Sequence, residues 1–276
     1  MSEAFDRLQE KRQQVSKGMT FVIIGAFFLL MPPVGLALIL IGYSKVQSAK
    51  REMKGLYKEA FVREPLMRNF ENVFYEPEQG FPQESVASFG LCRMGNRFSS
   101  EDYIRASYHG VWFEVSDVSV WDVDTSTDNR TTSTEIYFKG RMMVFDFPDK
   151  LVSSILIYSR TFKHRALSQR EGKKDKTELE SVAFNNTFDV YSAAPHDVFY
   201  LLTPPLMERL QYLASKYQSI AMLIFGNRVI LAFSEPDNNA FDAKVDIGKV
   251  VYEDEMAKVQ GDIDDIRAFI DLIVCP

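Results

Sequence analysis

The chain has 276 residues, 46% of them apolar and 13% aromatic, which suffices for a packed core and excludes a disordered tail as its main body. Its net charge of -6 is unevenly spread: residues 1–63 carry ten Lys/Arg against five Asp/Glu, and the rest carries 22 against 33. An acidic body argues against a nucleic-acid surface, and two cysteines are too few for a disulfide framework, so a reducing compartment is the simpler home.

In chain order, residues 1–18 read as a polar helical arm. Residues 19–43, MTFVIIGAFFLLMPPVGLALILIGY, contain no charge and lie between Lys17 and Lys45, the pattern of a membrane-embedded segment. As one helix the block would reach roughly 37 Å, enough to cross a hydrocarbon core of about 30 Å. Pro32-Pro33 near its middle opposes a continuous helix, because proline lacks an N–H and disfavours the α region for the residue before it. The other reading is a helical hairpin tipped by the prolines. Its arms, Met19–Met31 and Val34–Tyr43, would reach about 20 and 15 Å, half a bilayer. A secretory signal fits poorly, since the apolar run is long and no A-x-A-like site follows. Arg7, Lys11, Arg12 and Lys17 precede the block, and Lys45, Lys50, Arg51, Lys54 and Lys58 follow it. Two basic flanks place both ends in the cytoplasm and favour the hairpin; a single span would still leave the large C-terminal part inside.

Residues 44–80 read as a juxtamembrane helix and linker. Met53, Leu56, Tyr57, Ala60 and Phe61 have amphipathic helical spacing, with a stop expected near Glu64-Pro65 and a link in YEPEQGFP, 75–82. Residues 81–276 then form the soluble domain. Val111, Phe113 and Val115 alternate, and Val118 and Val120 resume one step out of phase, which predicts a bulge near Ser116-Asp117. Glu135–Phe147 is apolar on both faces after Gly140, as a central strand requires. Ser154–Tyr158, Leu179–Phe184 and Phe188–Tyr191 give further strands. Thr203 is placed to cap a helix with Pro204 at its first position and Leu206, Leu210, Leu213 and Tyr217 on one face. Gly226-Asn227 predicts a hairpin turn between strands 219–225 and 228–234. Ile263, Ile266, Phe269, Ile270 and Ile273 mark a final helix, with Asp262, Asp264 and Asp265 as its solvated start. The fold class is α+β: an N-terminal membrane helix or short helical hairpin, then a mainly antiparallel β-sheet domain with packed helices.

With FKG at 138–140, VFDFP at 144–148, LESVAFNNTFDVYS at 179–192 and YLLTPPLMERL at 200–210, the chain resembles a family of uncharacterised bacterial membrane-anchored proteins, the domain of unknown function 3137. The resemblance covers roughly 102–233. It implies a charged N-terminal arm, two close apolar spans and a cytoplasm-facing globular part, and it carries no chemistry. The apolar block here is too short for two full spans, a departure from that pattern.

Chemistry is sparse in the residues. His109, His164 and His196 stand in no H-x-x-H or H-E-x-x-H context, and there is no G-x-S-x-G or Walker-type loop, so no cofactor, metal or catalytic residue is assigned. Cys92 in GLCRMGNR is taken as structural, although Arg93 and Arg97 would lower its pKa if they were close in space. The stretch 160–176, RTFKHRALSQREGKKDK, offers Arg160, Lys163, Arg165, Arg170, Lys173, Lys174 and Lys176 as candidates for an anionic surface, against the plainer reading of a solvated loop. The expected function is a non-enzymatic interaction or sensor module at the cell inner membrane, facing the cytoplasm. Its expected partners are the lipid bilayer and either a protein or anionic lipid headgroups, not nucleic acid. The alternatives are an enzyme whose site gathers His196, Asp197 and Glu208, or a reader of anionic lipid surfaces through 160–176.

Overall fold

The computed structural model describes residues 3–27, 32–125, 132–149, 151–166, 175–192, 194–234 and 252–274. They fall into two compact units, one made of 1–69 with 239–264 and the other of 70–238 with 265–276.

The first unit opens with helices α1 (Glu3–Phe27) and α2 (Pro32–Tyr57). They lie antiparallel: Lys11 pairs with Glu52, and Lys45 Nζ sits 5.3 Å over the Phe21 ring. Small residues let the helices approach, since a Cβ on Gly18 would come within 2.8 Å of Val46 and one on Gly42 within 2.8 Å of Val22. Pro32 and Pro33 occupy the first turn of α2, where a missing N–H costs nothing. Of the two readings of the apolar block, the fold therefore has the hairpin. The polar arm and the juxtamembrane segment continue the same two helices, so each extends beyond the apolar block. The expected stop at Glu64-Pro65 does not occur. A π-helical stretch, Lys58–Arg63, leads into α3 (Glu64–Asn69), and Glu64 N–H donates to Glu59 O. This wider turn absorbs the donor that Pro65 cannot supply.

The second unit is built on one nine-stranded sheet in which all neighbours pair antiparallel. Its strands are β1 (Glu71–Glu76), β2 (Arg97–Tyr108), β3 (Val111–Thr125), β4 (Thr132–Asp146), β5 (Val152–Ser159), β6 (Asp175–Thr177), β7 (Phe188–Ser192), β8 (Ser219–Gly226) and β9 (Arg228–Ser234). The spatial order is β1-β2-β3-β4-β9-β8-β5-β7-β6. The β8–β9 hairpin turns at Gly226, φ 64°, as the sequence predicted. On one face, Phe81, Val86, Phe89 and Leu91, from helix α4 (Gln83–Phe89) and its flanks, pack with Val118, Val120, Phe138, Met142, Leu156, Tyr158, Leu223 and Ala232. The other face carries Phe113, Phe145 and Phe233. Phe269, from helix α8 (Tyr252–Val274), packs on Phe145 at 5.0 Å, and Tyr217 stacks on Phe233 at 4.4 Å.

Both faces being buried explains the phase change in β3. Pairing with β4 runs unbroken from Trp112 to Val120, so Val115 and Val118 simply point to opposite covered faces. The bulge lies instead on β2, where Asp102 (φ 58°) and Tyr103 stand opposite the single residue Ser116. A second correction concerns Leu179–Phe184. Val182–Thr187 is helix α5, capped by Ser181 Oγ accepting from Phe184 N–H, while the Asn185 side chain bonds both the N–H and the C=O of Leu179. A serine cap and an asparagine bracket outweigh apolar alternation over so few residues.

Candidate functional site

β4 and β9 part company at Gly140. The pairing ends at Gly140↔Ser234, so residues 132–139 run on beside β3 alone. The step between β4 and the start of β8 leaves a cleft of about 330 Å³, lined by Ile136–Lys139, the turn Thr161–His164, Gln218, Ser219 and Ser234. A bulge on β4 shapes its wall: Val120 pairs with Phe138 and Trp121 with Ile136, leaving Tyr137 as the extra residue. The Tyr137 hydroxyl donates to Asp122 Oδ2 at 2.5 Å, and its ring lies 5.1 Å from His164 and 4.5 Å from the Arg93 guanidinium. That hydrogen bond to Asp122, followed by burial, pushes the phenol up to about 12. The same bond, with the Asn96 N–H, holds the Asp122 carboxyl below its ordinary value. Tyr137 is therefore a fixed wall of the cleft rather than a proton donor near neutrality. Lys139 and Lys163 stand on the rim with His164, whose Nδ1 is 4.0 Å from Glu135.

Residues 136–274 match a family model described as "Protein of unknown function (DUF3137)". The chain belongs to the DUF3137 family. The matched region begins inside β4, at the cleft, and takes in FKG, the α5–β7 segment and the Pro204 helix. No curated protein matches this DUF3137 chain. Among solved structures it is similar to the mycobacterial trehalose monomycolate transport factor A, TtfA, with 10% identity and a TM-score of 0.37 over 77% of this chain and 93% of that one.

Within the DUF3137 region, the basic stretch 160–176 divides. Arg165 donates to Asp189 at 3.0 Å and to the carbonyls of Phe162 and Ser159, with its guanidinium 4.9 Å over Tyr158. Lys176 and Arg160 reach the same carboxylate at 2.9 and 3.7 Å. These three form an internal ion cluster that ties the 160s turn to β7, leaving Lys163 to face the cleft. Arg170, Lys173 and Lys174 lie outside the described residues. Burial alone would raise the Asp189 carboxyl, but the hydrogen bonds from Lys176 and Arg165 outweigh it and hold the carboxyl below its ordinary value. A carboxyl lowered in the folded state contributes stability above its unfolded value of about 3.9, and that contribution is lost as pH falls through the lowered value. Asp189→Asn is thus expected to destabilise the sheet at neutral pH and to flatten the fall in stability below about pH 4. Acid titrations followed by tryptophan fluorescence test this; parallel wild-type and variant curves would refute it.

Other predicted groups are structural or scattered. His196, on helix α6 (Pro195–Leu201), is 84% exposed with Asp197 Oδ1 at 3.1 Å, and Glu208 is exposed on helix α7 (Pro204–Lys216), so the imidazole and the Glu208 carboxylate of the enzyme reading stand open to solvent. Thr203 occupies the cap position of α7 without a side-chain hydrogen bond. Pro205, at the second helical position, lacks one of the two N–H groups that a capping hydroxyl can serve. Asp265 is not solvated. It is buried midway along α8, where it accepts from Arg209 at 2.7 Å, Lys216 at 2.6 Å and Tyr217 at 3.3 Å. Cys92 is buried beside the backbone of His164 and Arg165, and burial pushes its thiol up to about 12 rather than down. Among the described residues no cluster of His, Cys, Asp and Glu could hold a metal ion. The sequence reading missed Lys139 and Tyr137; the one available signal was Gly140 interrupting the apolar run.

Proposed function

We propose that this DUF3137 protein is a membrane-anchored, non-enzymatic interaction or sensor module, held by its helical hairpin in one leaflet with the sheet unit on the cytoplasmic side. The observation that carries this is the surface of the hairpin. Ile23 is 64% exposed, Leu40 60% and Ile41 51%, with Met19, Phe21 and Ile24 also open, all within the charge-free block bounded by Lys17 and Lys45. A contiguous apolar surface of this kind marks a membrane or interaction site. From Met19 to Phe27 and from Pro32 to Tyr43 the arms reach about 13 and 18 Å at 1.5 Å per residue, a half-bilayer depth. No described helix is by itself long and apolar enough to cross a membrane. Basic residues at both mouths of the hairpin suit an anionic cytoplasmic leaflet. The non-enzymatic reading draws on the engagement of Asp189, Asp265 and Cys92 in the fold.

The expected result is a full-length chain that stays in the membrane pellet through an alkaline carbonate wash, while Ile23→Asp combined with Ile41→Asp moves it to the supernatant. A wild-type chain found in the supernatant without detergent removes the proposal. Cysteines placed at Ser16 and Ser44, in a chain with Cys92 and Cys275 changed to serine, are expected to react with an impermeant maleimide from the same side of the membrane. Labelling from opposite sides would replace the hairpin anchor by a span.

A further inference from the structure

We infer that the cleft beside Gly140 binds an organic anion, with its phosphate or carboxylate group received by Lys139, Lys163 and His164 and its apolar body against Ile136 and the Phe138–Phe162 floor. This deepens the sensor reading by giving the module a ligand class, and so rests on it.

The first argument is charge. In this acidic unit the cations mostly sit on carboxylates: Arg141 on Asp117, Arg160, Arg165 and Lys176 on Asp189, Arg209 and Lys216 on Asp265, and Arg228 on Asp146. Among the described residues, Lys139 and Lys163 pair with no carboxylate, and both line the same cleft. The nearby acid, Glu135, is 60% exposed and stands 4.0 Å from His164, so among the described residues the two ammonium groups have no counter-charge. Two uncompensated cations sharing a concave site raise the local potential for an incoming anion.

The second argument is the rest of the lining. Thr161, Ser219, Ser234 and Gln218 add polar side chains around the opening. Phe138 and Phe162, with ring centroids 6.2 Å apart, close the bottom, and Ile136, 55% exposed, supplies an apolar wall. A volume of about 330 Å³ is at the small end of ligand sites, which run from about 300 to 1,000 Å³. The wall does not depend on the ligand, because Asp122 already fixes Tyr137 and the Asp189 cluster fixes the turn that carries Lys163. The headgroup of an anionic lipid and a free organic phosphate share this chemistry.

The test is calorimetric titration of the full-length chain, in nanodiscs of zwitterionic lipid, with phenyl phosphate. Saturable binding at one site per chain is expected. Lys139→Gln combined with Lys163→Gln is expected to weaken it by about tenfold or more, since two charge-assisted contacts are lost. Arg228→Gln, which removes a cation paired with Asp146 at the other end of β9, is expected to change it by less than about twofold, and inorganic phosphate to bind at least about tenfold more weakly than phenyl phosphate. Unchanged tryptophan-monitored urea midpoints show that the variants fold. No saturable binding, undiminished binding in the double variant, or inorganic phosphate binding as tightly as phenyl phosphate would overturn the inference. Nanodiscs containing phosphatidic acid that compete with phenyl phosphate identify the source as a headgroup; a lack of competition identifies a soluble ligand. Release of phenol would keep the anion site and remove the non-enzymatic reading.

Discussion

Replacing Asp265 with alanine is expected to cost the sheet unit about 3 kcal/mol. Its carboxylate is 9% exposed and receives Arg209, Lys216 and the Tyr217 hydroxyl, so α8 is tied at this point to α7 and to the residues leading into β8. Removing the anion leaves a guanidinium, itself 19% exposed, without its counter-charge, and uncompensated buried charge is what makes breaking such pairs expensive. Lys216, 33% exposed, keeps access to water, which holds the loss to the lower end of the range for buried pairs. Both tryptophans, Trp112 and Trp121, lie in β3, so their fluorescence follows this unit specifically. With a urea slope of about 2–3 kcal/mol per molar, the midpoint should fall by roughly 1 M. Asp265→Leu combined with Arg209→Leu should recover most of the loss, because an apolar pair of similar size carries no desolvation cost. A midpoint unmoved by Asp265→Ala would show the cluster to be energetically idle.

Gly140→Val is expected to disrupt the sheet more severely. A Cβ at Gly140 would lie 1.9 Å from the carbonyl oxygen of Phe233, with the backbone of Ser234 at 2.9 Å. These atoms belong to the neighbouring strand rather than to a pliable side-chain tip, so β4 and β9 must separate where their pairing ends. Overpacking typically costs about 1–3 kcal/mol even where side chains can yield, and here the backbone itself has to move. Gly140→Ala is expected to cost about 3 kcal/mol, and Gly140→Val to leave little folded sheet unit at 25 °C. Tryptophan emission at the unfolded wavelength in the purified Gly140→Val chain is the expected sign. A native spectrum with a wild-type urea midpoint would mean that the strands tolerate a side chain there. The cleft begins at the same glycine, so the close approach that ends β4–β9 pairing also opens the candidate site.

How much of this was legible in the sequence depended on the range of the interactions. The prolines at 32–33, the Gly226 turn, the leucine stripe of α7 and the two-sided apolar run after Gly140 are each set by a few adjacent residues, and each formed as its pattern required. The segment 182–187 was misread because a serine cap and an asparagine side-chain bracket, both local, are weaker as patterns than apolar alternation. The β3 bulge was misplaced because a phase change in burial looks the same whether the strand kinks or its covering changes face. Asp265 reads as a solvated aspartate among others until Arg209 and Lys216, some fifty positions earlier, come to rest on it. Of the seven basic candidates in 160–176, Asp189 claims Arg160, Arg165 and Lys176, and only the fold could say so.

By itself, the sequence determined that an oily, proline-interrupted block precedes an acidic α+β body, because hydropathy, missing N–H groups and turn geometry are properties of adjacent residues. Only the tertiary structure decided that the block folds back as two packed helices and that β4 steps away from β9. Among the described residues it also left Lys139 and Lys163 unpaired at one opening while their neighbours were neutralised. The physical reason is that electrostatic partnership and cavity shape depend on distance in space, and residues as far as 95 positions apart acquire that distance only when the sheet closes around them.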